Sequence, residues 1–173
     1  VSLIMGTFLG TIAGFFGGAF DQVIMRAVDI FMAFPGLLLA MAISALMEPS
    51  IYTNVFALSF SGWVSYARII RSQVLLLKEF DHVLAAQSLG ASRRRIIFYH
   101  ILPNIFGPII VAATFGIAGA IIGEASLSFL GIGVPPTVAS WGSMLDQGSQ
   151  HLLDAPHLAM YPGIAIMIAV LGF

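Results

Sequence analysis

Five long stretches without a charged residue constrain this chain more than anything else in it. Val1–Phe20, the runs between Asp29 and Glu48 and between Glu48 and Arg68, Ile96–Gly123, and a run beginning near Leu158 contain no Asp, Glu, Lys or Arg. A helix needs about 17–25 such residues to cross the hydrocarbon core of a bilayer. Soluble domains are typically about a quarter charged. This chain is 9% charged and 59% hydrophobic, with a mean hydropathy of +1.00, so it lacks the charges to cover a water-facing surface. The expected fold is therefore all-α, a polytopic transmembrane helical bundle with about five spans. Pro35, Pro103, Pro108 and Pro162 fall inside the apolar runs. In a bundle, neighbouring helices can re-satisfy the carbonyls that prolines free.

Charge placement predicts orientation. All seven basic residues fall in two places: Arg26 follows the first run, and Arg68, Arg71, Lys78, Arg93, Arg94 and Arg95 flank or fill the segment between the third and fourth. The alternate segments, around 47–52 and 131–157, hold Glu48, Asp146 and Asp154 but no Lys or Arg. Lys and Arg concentrate on the cytoplasmic side of membrane proteins, so 78–104 is expected to be a cytoplasmic loop and 131–157 an external one. The near-neutral charge argues against a nucleic-acid partner. With no Cys, disulfide frameworks and thiolate metal sites are excluded. The start of the chain lacks the order of a signal peptide.

The polar segment Lys78–Asn104, KEFDHVLAAQSLGASRRRIIFYHILPN, is the candidate site. Asp81 is expected to cap a short helix, and Gly90 to end it in the left-handed conformation. Ser92 is expected to cap a second helix carrying Arg93–Arg95 and continuing through Ile96, Ile97 and Ile101. The first helix exposes the small residues Ala85, Ala86 and Ser88, a shape that can seat in a partner's groove. On the residues alone, an ordinary amphipathic loop stands equally beside that reading.

The spacing resembles a known family. Ala85-Ala86, Gly90 and Leu102-Pro103, with Gly90 and Pro103 thirteen positions apart, match the "EAA" loop of ABC importer permeases. Leu84 stands where that motif has Glu, and His100 where it has Ile; the HILPN variant resembles the peptide and nickel branch. GFFGGAFDQVIMRAVDIFMAFP upstream, then EASLSFLG from Glu124, Pro135-Pro136, Trp141-Gly142 and Pro162-Gly163 downstream, extend the similarity over nearly the whole chain. The resemblance implies a type I importer permease core in the inner (cytoplasmic) membrane. Asp81, Ala85, Ala86, Gln87, Ser88, Leu89, Gly90 and Ala91 would form the coupling helix and its turn, and Leu102 and Pro103 the return into the span. The implied partners are a second permease, identical or different, two cytoplasmic ATPases that bind ATP and Mg, and an external solute-binding protein. It also implies a further N-terminal span and a short C-terminal tail beyond the residues given, with 1–173 a single permease domain. The solute would be a short peptide, a nickel complex, glutathione or a relative of these.

Other residues carry competing readings. Glu124, near the outer end of an apolar run, either lines the pathway or a subunit interface, or makes a structural contact to the adjacent loop. His82, His100, His151 and His157 are not spaced as metal ligands on one helix, so no metal site is expected. Arg26 and Asp29, three apart, are expected to form a helical ion pair. Gly6, Gly10 and Gly14 recur every fourth residue, a helix-packing face expected to be used within the bundle. No phosphate-binding loop, nucleophile elbow or HExxH helix occurs, so no enzymatic activity is expected of the chain itself. A channel or secondary transporter without an ATPase is the alternative.

Overall fold

The computed structural model describes residues 1–135 and 137–173; Pro136, part of the Pro-Pro pair quoted above, lies outside them. All regular structure among the described residues is helical. The α-helices are α1 (Ser2–Phe16), α2 (Gly18–Met32), α3 (Gly36–Leu46), α4 (Ile51–Leu77), α5 (Asp81–Ser88) and α6 (Arg93–Arg95). After a π turn at Ile96–Ile101 come α7 (Phe106–Phe129), α8 (Trp141–Ser149) and α9 (His157–Leu171). They form two compact units, one of 1–33 with 62–113, the other of 34–61 with 114–173.

In the first unit, the glycine stripe of α1 lies on the second half of α4. A Cβ at Gly6 would fall on Trp63 and Tyr66, one at Gly10 on Ala67 and Ile70, and one at Gly14 on Arg71 and Val74. Numbering rises together on both helices, so α1 and this part of α4 run parallel. Without side chains at the contact the two backbones approach closely, and the stripe serves packing within the chain, as expected. Val28 of α2 packs with Trp63, Val64 and Ala67, with Leu9, Met25 and Phe31 around them.

In the second unit, α3 runs antiparallel to the start of α4. Gly36 faces Ser61, and Ala40 packs with Ala57 and with Leu127 of α7. Ser50 caps α4, its hydroxyl accepting from the Thr53 N–H at 3.0 Å. Ser140 and Ser143 form a reciprocal capping box that starts α8. Gly142 then lets α8 touch the backbone of Ala125, and Gly148 lets it touch Leu158 and Ala159 of α9. The expected external segment 131–157 is thus partly a packed helix.

Helix boundaries differ from the expected runs for identifiable reasons. The second run is interrupted between Met32 and Gly36, because a residue preceding proline is driven out of the helical region and Pro35 has an extended ψ of 124°. The third becomes a 27-residue helix that continues past Arg68 to Leu77. The fourth starts ten residues late, at Phe106, since Pro103 breaks the regular ladder before it. Among the described residues, α7 is the one helix both long and apolar enough to cross a membrane alone. The broken pair α2–α3 meets the same test jointly, and α1 and α9 are apolar but shorter. Phe106, Ile110, Phe115 and Ile122 of α7 remain exposed. So much outward apolar surface marks contact with lipid or protein.

Candidate functional site

α5 is anchored by one side chain. Val83 is fully buried with Ile70, Val74 and Leu77 of α4 and with Ile96, Ile101 and Ile105, while Phe15, Ala91, Leu102 and Ile109 pack around them. Every other residue of α5 is exposed except Ala86, which is half-buried. Leu89, just beyond its end, is 88% exposed. A helix held on one side, with Leu84 and Ala85 exposed among polar residues on the other, presents surface for a partner.

Asp81 does not cap this helix. Phe80 occupies the cap position in an extended conformation and Asp81 is the first helical residue, with no side-chain cap bond. Its carboxylate still sits at the positive end of the helix, where negative charge is favoured. The C-terminal expectation at Gly90 holds in detail. Gly90 has φ +78°, its N–H donates to the Gln87 carbonyl at 2.9 Å, and the Ala91 N–H reaches back to Ala86 at 3.0 Å. That pair of bonds is a Schellman motif, which requires the left-handed residue that glycine supplies without a steric penalty. A Cβ there would touch nothing, so conformation and not space dictates glycine. Ser88 turns its hydroxyl back to the Leu84 carbonyl at 3.0 Å.

Ser92 caps the next segment, accepting from the Arg95 N–H at 3.4 Å. The helix then widens. The Leu102 N–H bonds the Ile97 carbonyl at 2.8 Å, five residues back, while the Asn104 N–H bonds Ile101, three residues back. Pro103 explains the change of register: it has no N–H, and its ring would collide with the carbonyl four residues before it. The Asn104 side-chain amide donates to the His100 carbonyl at 2.6 Å, serving an acceptor the irregular ladder leaves over. Leu102 is half-buried and Pro103 exposed. His82 and His100 lie with ring centroids 6.2 Å apart. Among the described residues, no three His, Asp or Glu side chains gather as a metal site would require.

A set of clamps around the loop was not foreseen. The Arg71 guanidinium binds the Asp21 carboxylate through Nε and, at 2.6 Å, through Nη2. Arg71 lies past the uncharged stretch of α4, and the hydrogen bond to Asp21 raises its pKa above the ordinary value. Asp29 pairs with Arg68 at 2.8 Å, replacing the expected Arg26–Asp29 pair. Lys78 Nζ donates to the Gly14 and Phe15 carbonyls at 3.4 and 3.5 Å. Arg93 lies over the Phe16 ring, 5.8 Å from its centroid. The available signal was the gathering of basic residues in two segments. Their partners lie 39 residues away or more.

Glu124 belongs to the other unit. It accepts from the Ser128 hydroxyl at 2.7 Å, and that hydroxyl accepts from the Val134 N–H at 3.4 Å. A Cβ at Gly133 would fall on Ser128. Glu124 thus joins the end of α7 to the turn that follows it.

Residues 6–173 match the family model described as the binding-protein-dependent transport system inner membrane component. The chain belongs to that family. Its members are membrane transport permeases built as polytopic helical bundles. A dipeptide transport system permease protein of Alkalihalophilus pseudofirmus is 44% identical over 99% of this chain and 57% of its own length. An oligopeptide transport system permease protein of Bacillus subtilis is 41% identical over 100% of the chain and 57% of its own. A glutathione transport system permease protein of Pectobacterium atrosepticum is 40% identical over 100% and 58%. The chain therefore spans a little over half the length of these relatives. The family match takes in the whole of α5, the Gly90 turn and the π turn.

Proposed function

We propose that this chain is the core of a permease subunit of an ATP-binding-cassette importer in the inner membrane, and that α5 with the Gly90 turn is its coupling helix. The observation that carries the reading is α5 itself. It is a short helix held by Val83 alone, stopped by a Schellman turn, and otherwise open to a partner. In this reading Asp81, Ala85, Ala86, Gln87, Ser88, Leu89, Gly90 and Ala91 meet a cytoplasmic ATPase, and Leu102 and Pro103 begin the return to the span.

Two ATPases bind and hydrolyse ATP with Mg, and the permease catalyses nothing itself. A second permease completes the pathway, and an external binding protein delivers the solute. The relatives named for dipeptide, oligopeptide and glutathione transport support a short peptide or peptide-like solute. The clustering of all seven basic residues supports a cytoplasmic position for 78–104. The parallel course of α1 and the later part of α4 fits alternating spans. Glu124 acts as a structural latch between α7 and the following turn.

Gly90→Val tests this reading. A β-branched residue is a genuine outlier at positive φ, so the turn must rearrange and α5 be presented differently. In the full-length permease, assembled with its ATPases in proteoliposomes, ATP hydrolysis is expected to persist while solute uptake is lost. Unchanged uptake, or a wild-type permease that purifies with no ATPase, overturns the reading.

A further inference from the structure

The coupling helix is gripped from both of its flanks onto one short turn elsewhere in the chain. Lys78, three residues before α5, reaches the carbonyls of Gly14 and Phe15. Arg93, three residues after Gly90, covers the ring of Phe16. Phe15 itself packs against the cluster that holds Val83, the single buried residue of α5. Three consecutive residues at the end of α1 are thus touched by the segment before α5, by the cluster beneath it and by the segment after it.

Each contact has a clear physical basis. The last carbonyls of α1 have no intrahelical partner, and a cation at a helix C-terminus is favoured by the dipole. A guanidinium over an aromatic face adds a second attraction of different kind. The turn beyond is built to yield. Gly17 and Gly18 have φ of +63° and +54°, and nothing stands within 4 Å of where their Cβ atoms would lie. On the other side, α1 is seated on α4 through Gly6, Gly10 and Gly14, so a push on its end moves the helix instead of bending it.

We propose that the Phe15–Gly18 turn is a second arm of the coupling device: Lys78 and Arg93 bind it to the two flanks of α5, so that displacement of α5 is delivered to α1 as well as along its own chain. Lys78 and Arg93 are positioning residues in this arrangement. The inference rests on the coupling reading of α5 and assigns that site a transmission route.

The test uses the full-length permease in its assembled transporter, reconstituted in proteoliposomes, with ATP hydrolysis and solute uptake measured on the same vesicles. Lys78→Gln combined with Arg93→Gln is expected to leave ATPase binding intact and to lower uptake per ATP at least about fivefold, the lower range of allosteric coupling. Lys78→Arg with Arg93→Lys, which keeps a carbonyl donor and a cation over the ring, is expected to restore the ratio. A merely structural role lowers the amount of assembled complex and leaves uptake per ATP unchanged; that result overturns the proposal.

Should the Gln variant fail to assemble, spin labels at His82 on α5, which is not among the residues assigned to the ATPase contact, and Phe8 on α1, both exposed, decide the matter. Their separation is expected to stay fixed between nucleotide-free and ATP-bound complexes, and a change of more than about 2 Å, the scale of interface helix shifts, overturns the proposal. A wild-type complex that couples normally, beside a Gln variant that does so equally well, removes this inference alone. A wild-type permease that binds no ATPase removes the reading beneath it.

Discussion

The two compact units are held together by different means. Both bring helices into contact through glycines: Gly6, Gly10 and Gly14 in the first, and Gly123, Gly142 and Gly148 in the second. Only the first adds charge. It contains all seven Lys and Arg residues and four of the eight acids, and its helix ends are tied by Arg71–Asp21, Arg68–Asp29 and Lys78. The second contains the other four acids and no Lys or Arg, and its polar contacts are hydroxyl bonds such as Ser128 to Glu124 and the Ser140–Ser143 box. Charged side chains are expensive inside a bilayer, while hydroxyls can bond within their own helix. Ionic clamps therefore mark the part that holds the candidate docking loop, while close backbone contact at glycines is common to both.

The largest effect is expected where a glycine meets backbone. At Gly142, a Cβ would fall on the Cα, carbonyl carbon and oxygen of Ala125, none of which can rotate away. Overpacking typically costs about 1–3 kcal/mol, and against fixed backbone the upper end is expected, so Gly142→Ala should lower the thermal unfolding midpoint of the full permease in nanodiscs sharply. Added salt should not change the size of the loss, because no charge is involved. A salt-dependent loss would break the division between the units.

Asp21→Asn should come next, and in the first unit. The Asp21 and Arg71 side chains are only 20% and 29% exposed, and the variant leaves the guanidinium without its anion. A buried pair broken this way costs about 3–5 kcal/mol; with part of the solvent retained, about 1–2 kcal/mol is expected. Raising ionic strength should weaken the wild type more than the variant. Equal salt responses would mean that the clamp contributes packing and not charge.

What could be read from the residues followed the range of the interactions involved. The Gly90 turn and the Ser92 cap were legible because a cap is made by neighbours in sequence. Asp81 was misplaced by one position because Phe80, which carries no capping group, takes the extended conformation at the helix start. The glycine stripe on α1 was legible as a face, and its partner on α4 was not. For the same reason Asp29 was assigned to Arg26, the cation within helical reach, when tertiary packing gives it Arg68, 39 residues away. Pro103 was read as one of the prolines that a bundle can accommodate. That the ladder would absorb it by widening from Ile96 onward depends on Ile96, Ile101 and Ile105 all being buried in one cluster, which spacing alone does not reveal.

The smallest effect expected, at Asp29→Asn, gives the sharpest control on the comparison. Arg68 and Asp29 form a 2.8 Å pair much like the Arg71–Asp21 contact, but their side chains are 50% and 61% exposed. Exposed pairs contribute about 0–1 kcal/mol, because water screens the attraction and both side chains lose freedom in making it. The unfolding midpoint of Asp29→Asn should therefore lie close to that of the wild type and well above that of Asp21→Asn. The two pairs join the same two helices, α2 and α4, and differ in exposure and in the number of bonds, two from Arg71 and one from Arg68. A cost at Asp29 as large as at Asp21 would show that this face is covered in the full protein, by lipid headgroups or by a neighbouring subunit. The clamped surface of the first unit would then extend beyond Arg71 to include Arg68.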